Sequence, residues 1–162
     1  MRVLVSTFLA VITVSFTAAA QEAVYVIRHA EKELNGADPS ISDEGKARAA
    51  AWAEMLQHVE LDVVVTSDAK RTKETGNIIA NRLGLPTHSV DRADTTGLTD
   101  MLSFDHEEDI VLVVGHAETI PGILESLGAF NEITISQTDF ANLFILLQPG
   151  ADEPRLIRVR MP

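Results

Sequence analysis

Ala23-Val24-Tyr25-Val26-Ile27-Arg28-His29 sets the reading of the whole chain. Its first five residues are aliphatic or aromatic on both alternating faces, as a strand buried on both sides of a parallel sheet requires. The run stops at two polar residues able to do chemistry. Lys32–Ile41 follows, containing Asn35, Gly36 and Pro39, and reads as a loop. Ser42 then caps a helix over Asp43–Val59, with acidic residues in its first turn and Trp52, Leu56 and Val59 on one face.

The pattern repeats downstream. Asp62–Thr66 reads as a second strand, and a helix from about Asp68 to Leu83 is stopped by Gly84 and Pro86. Asp109–Val114 is a third strand, leading through Gly115-His116 into a helix over Ile120–Leu127 that ends at Gly128. Phe140–Gln148 and Arg155–Arg160 flank a Pro149-Gly150 turn as a closing antiparallel pair. Alternation of this kind predicts an α/β fold: a three-layer α/β/α sandwich with a mixed, mainly parallel central sheet. Sites on such sheets gather at the carboxyl ends of the strands. Arg28-His29, Ser67 with Arg71, and Gly115-His116 all follow strands, so two histidines and two arginines are expected to meet at one sheet edge.

Composition narrows the chemistry. The chain has 162 residues, 46% hydrophobic and 23% charged, which fits one globular domain rather than disorder. Thirteen Lys+Arg against 24 Asp+Glu give a net charge of −11, unsuited to nucleic acid or an anionic membrane surface. With no cysteine, thiolate nucleophiles and Cys-type zinc sites are excluded. Residues 1–20 read as a secretory signal peptide: Arg2, an uncharged run from Val3 to Phe16, then Ala18-Ala19-Ala20. The apolar run is shorter than the roughly 20 residues a membrane span needs. Cleavage after Ala20 leaves 21–162 as a single domain, periplasmic or secreted and free of the membrane.

Arginine offers a planar fork of donors suited to phosphate oxygens and keeps its charge at physiological pH. A neutral imidazole is a competent nucleophile toward phosphorus. Two forks with two imidazoles therefore suit phosphoryl transfer, where positioning and charge neutralisation supply most of the rate.

At these residues the sequence resembles the histidine phosphatase (phosphoglycerate mutase-like) superfamily, in the manner of a small exported bacterial member. Tyr25–Glu31 is similar to its strand-plus-Arg-His-Gly motif, with Ala30 where Gly is usual. Asp38–Gly45, Thr66–Thr75 and Val114–Pro121 are similar to three further segments in the same order. The resemblance implies a phosphomonoester hydrolase without cofactor or metal, acting on a small phosphorylated substrate. It makes His29 the nucleophile, Arg28 and Arg71 the phosphate ligands, and His116 the residue completing the pocket. The family's acidic proton donor falls between the second helix and the last motif, where Asp91, Asp94, Asp100 and Asp105 stand. Asp94 is the choice there, with Glu118 as second candidate. Lys32 could add a charge to the site or be a solvated loop lysine. His58, His88 and His106 match no motif and read as surface residues.

Two other readings stay open at this level. His29-Ala30-Glu31 and His116-Ala117-Glu118 are two His-x-Glu pairs, the chemistry of a metal-dependent hydrolase. A non-catalytic binder of phosphorylated ligands would also account for the arginines.

Overall fold

A computed structural model describes residues 23–130 and 132–162. The signal peptide expected over residues 1–20 lies outside them. The sheet has six strands: β1 (Ala23–Arg28), β2 (Val63–Ser67), β3 (Thr87–Val90), β4 (Ile110–Gly115), β5 (Asn142–Leu147) and β6 (Arg155–Arg160). They lie in the order β3-β2-β4-β1-β5-β6. The first four in that order run parallel; β5 is antiparallel to β1, and β6 is antiparallel to β5.

Four helices cover both faces: α1 (Asp43–Leu56), α2 (Lys70–Leu83), α3 (Thr95–Phe104) and α4 (Ile120–Ser126). Alternation along each strand sorts the core in two. Val24, Val26, Val65 and Phe144 pack with Leu98 and Leu102 of α3 and Ile120 and Leu124 of α4. Ile27, Val64, Leu112 and Leu143 pack on the opposite side with Trp52 and Leu56 of α1 and Ile79 of α2. The mixed, mainly parallel α/β/α sandwich is thus the observed architecture.

Local chemistry explains the element ends. Ser42 caps α1 by accepting from the Gly45 N–H at 3.1 Å. Gly45 is also where α1 crosses the chain leaving β1, and a Cβ there would overlap the carbonyl oxygen of Glu31. Helix α2 ends at Gly84, left-handed at φ 73°, whose N–H bonds the Ala80 carbonyl. Helix α1 stops at Leu56 rather than Val59, because the Val59 N–H turns back to the Leu56 carbonyl. Strand β5 begins at Asn142, which leaves Phe140 free of the sheet.

Two elements exceed the sequence reading. Strand β3 is a four-residue edge strand with three exposed residues, and α3 follows it, capped by Asp94. No helix among the described residues is long and apolar enough to cross a membrane.

Candidate active site

Register alone brings the two histidines together. In the parallel β1–β4 pair Arg28 stands opposite Gly115, so the next residues, His29 and His116, leave neighbouring strands side by side. Their ring centroids are 5.3 Å apart at 61°, close to the spacing of adjacent strands. A bond from the His29 N–H to the Gly115 carbonyl at 2.9 Å carries the pairing one step past the sheet. Ala30 follows, fully buried, its N–H bonded to Thr75 Oγ1 at 3.1 Å. Its backbone is not left-handed, so alanine fits where glycine is usual.

Hydrogen-bond partners fix the proton on each ring. His29 Nδ1 lies 2.8 Å from the Ala30 carbonyl, which can only accept, so Nδ1 carries the hydrogen and Nε2 the lone pair. His116 is reversed: Arg71 Nη2 donates to its Nδ1 at 3.0 Å, and its Nε2–H donates to Ser67 Oγ at 2.8 Å. The Ser67 hydroxyl is in turn 2.7 Å from Thr72 Oγ1, which reaches the Ala69 carbonyl at 2.8 Å. Burial pushes the His29 pKa down to about 3, and the charges of Arg28 and Arg71 add to this against the pull of the Ala30 carbonyl. Burial followed by the Arg71 charge lowers His116 to about 4. At neutral pH both rings are uncharged.

The arginines flank the pair. Arg28 Nη1 donates to the carbonyls of Ser136 (3.0 Å) and Asp139 (3.3 Å), and Nη2 to Gln137 Oε1 (3.2 Å). Its guanidinium lies 4.1 Å from the Phe140 ring centroid, and that ring is 5.9 Å from His29. The segment before β5 therefore grips the outer end of the guanidinium. Arg71 is held by His116 and, at 3.6 Å from Nη1, by Asp38. It does not pair with Glu74, which faces Lys70. The Nε–H of each arginine is buried without a partner among the described residues. Two cationic groups whose charges act on a ring with a free lone pair are what an oxyanion would complement.

The other candidates fall out as follows. Asp94 borders a small cavity with His116 and Ser67, but its Oδ1 accepts from the Gly97 N–H at 2.7 Å as the cap of α3. Asp91 turns on itself, accepting from the Ala93 N–H, and also borders that cavity. Asp105 caps the opposite end of α3. Glu118 is exposed at the rim. Burial pushes its carboxyl up, but its own N–H, His116, Gln137 and Arg71 outweigh this and hold it below the usual range. Lys32 is exposed in the loop, pairing through its backbone with Ile41. His58 and His88 are exposed, and His106 packs edge-on against His88 while bonding Asp109 at 2.7 Å.

Glu31 does not join His29 as a ligand pair. Arg48 of α1 takes its Oε1 with both Nε and Nη2 at 2.6 Å. Among the described residues no group of three or more His, Asp or Glu stands close enough to hold a metal ion. Four participants carried no sequence signal as such: Asp38, Gln137, Phe140 and the carbonyls of the segment before β5. Only Asp38 lies in a motif that could have pointed to it.

Known proteins share this fold. The histidine phosphatase superfamily (branch 1) profile matches residues 24–94. A solved structure assigned as a phosphohistidine phosphatase, SixA, from Agrobacterium tumefaciens superposes with a TM-score of 0.67 at 20% identity, covering 87% of this chain and 99% of that one. A SixA structure from Nakamurella is 22% identical, with a TM-score of 0.59 and coverage of 87% and 96%. A mycobacterial glucosyl-3-phosphoglycerate phosphatase complexed with inorganic phosphate is 16% identical, with a TM-score of 0.63 and coverage of 84% and 95%. At these identities the likeness is one of fold. No curated protein matches the sequence.

Fold and motifs together resemble those of the histidine phosphatases. Over residues 24–94 the chain is similar to the histidine phosphatase superfamily (branch 1), and its fold is that of the solved structures named above.

Proposed function

We propose that the protein is an exported phosphomonoester hydrolase that works through a phosphohistidine on His29 and needs no metal. The observation that carries this is the free Nε2 lone pair of His29, fixed by the Nδ1–H bond to Ala30, on a ring that feels the charges of Arg28 and Arg71. Nε2 attacks phosphorus, the Nε2–P bond forms, and the ester P–O bond breaks. Arg28 and Arg71 take the charge on the phosphoryl oxygens. His116 completes the pocket and holds Arg71 through Nδ1. Water then attacks phosphorus and the Nε2–P bond breaks, releasing inorganic phosphate and restoring neutral His29.

The leaving oxygen takes a proton from an acid, which the water later returns. Glu118 suits this role better than Asp94, whose carboxylate is engaged as the α3 cap. A bound phosphoryl dianion beside Glu118 raises its pKa and so loads the proton when substrate arrives. The substrate is a small phosphorylated molecule met outside the cytoplasm, such as a sugar phosphate, nucleotide or envelope component. Export rests on residues 1–20, and mass spectrometry of the exported protein should read Gln21 as its first residue. An intact Met1 there would contradict cleavage.

Hydrolysis of p-nitrophenyl phosphate by the purified protein, with and without EDTA, tests the reaction. Turnover unchanged by the chelator is the expected result. Turnover lost to EDTA would overturn the metal-free mechanism, and phosphate binding without turnover would make the protein a binder.

A further inference from the structure

Helix α2 begins without a cap of its own. Ala69 occupies the N-cap position, and no acidic residue lies in the first turn. The missing acceptor comes from the loop after β1: both carboxylate oxygens of Asp38 lie 3.1 Å from the Lys70 nitrogen. The same Oδ1 is 3.6 Å from Nη1 of Arg71, the next residue along. The loop is docked to α2 at a second point, where the Ile41 N–H bonds Glu74 Oε2 at 2.7 Å. Pro39, between the two, is buried. Asp38 is therefore a placed group, though its side chain is 55% exposed.

An exposed ion pair alone contributes little. Here one carboxylate sets both the first turn of a helix and the guanidinium projecting from it. A free arginine side chain samples many rotamers, and each contact that holds it lowers the entropy cost of gripping an anion. Arg71 has two such contacts, His116 inside the pocket and Asp38 at its rim.

We propose that Asp38 is a positioning residue for Arg71, capping from a distant loop the helix that carries this arginine and aiming its guanidinium for phosphate; the role rests on the phosphatase reading above. Asparagine caps a helix as well as aspartate does, whereas alanine does not. That difference supplies the test. Asp38→Ala and Asp38→Asn are made alone, and Asp38→Ala also with Arg71→Ala. Inorganic phosphate affinity, kcat and KM on p-nitrophenyl phosphate, and melting temperature are measured for each.

Asp38→Ala should weaken phosphate and raise KM about tenfold, with kcat changed by less than about threefold. Asp38→Asn should stay within about twofold of the parent. In the Arg71→Ala background Asp38→Ala should change kcat/KM by less than about twofold, because its only route is through Arg71. A variant that melts earlier but keeps phosphate affinity and KM would reduce Asp38 to a structural cap. Failure of asparagine to rescue, or an undiminished loss without Arg71, would equally overturn the proposal. If the parent protein binds phosphate but turns nothing over, the phosphatase reading fails while the affinity series still decides the role of Asp38. A parent that binds no phosphate removes both.

Discussion

His29→Ala is expected to lower p-nitrophenyl phosphate turnover by about four to six orders of magnitude. The loss is large because the pocket holds no spare nucleophile. His116, the nearest alternative, has Nδ1 occupied by Arg71 and Nε2 by Ser67. The fold should survive: the ring is buried but its one hydrogen bond goes to the adjacent residue, so alanine strands no distant partner. Circular dichroism and the melting temperature separate loss of chemistry from loss of structure. The wild-type rate carries a second signature. A His29 pKa near 3 keeps the nucleophile unprotonated, so kcat/KM should not decline between pH 8 and pH 5 on its account. An active alanine variant would end the phosphohistidine mechanism outright.

Arg71→Lys, which keeps the charge, should still cost roughly a hundredfold in kcat/KM. An ammonium is a point charge on a flexible stem, and it cannot reproduce the two contacts that the guanidinium makes from one plane. Nη2 fixes the lone pair of His116, and Nη1 faces Asp38. Lysine would leave His116 Nδ1 without its donor and change which nitrogen carries the proton. Steady-state kinetics decides the matter, with the loss expected in kcat as well as KM. A lysine variant as fast as the parent would take Arg71 out of the transition state.

The parts of this site visible in sequence are those fixed by strands. β1, β2 and β4 are near-continuous aliphatic runs because both of their faces are covered, and such runs end sharply. Arg28, His29, Ser67 and His116 could therefore be placed at one edge from the pattern alone. Strand β3 was illegible for the opposite reason: at the sheet edge, three of its four residues face solvent and no alternation is demanded. Helix α3, with three threonines and a glycine in ten residues, has weak intrinsic propensity and stands on its Asp94 cap and two buried leucines. The segment that grips Arg28 has no period to read, since it acts largely through main-chain carbonyls that any sequence would offer. Asp38 sits in a visible motif, but nothing local says that its partner lies on a helix 32 residues away.

The strand order has a consequence for when the molecule can form. β1, which leads into His29, is the first of the described strands to leave the ribosome, yet both of its neighbours come late: β4 begins at Ile110 and β5 at Asn142. Until most of the chain exists, β1 has no partner and the pocket cannot assemble. Contacts of such long sequence separation also slow folding, because the intervening loop must be closed before any pairing is gained. Under the proposed export that delay is useful: the topology itself keeps the pocket unassembled until the last third of the chain has arrived.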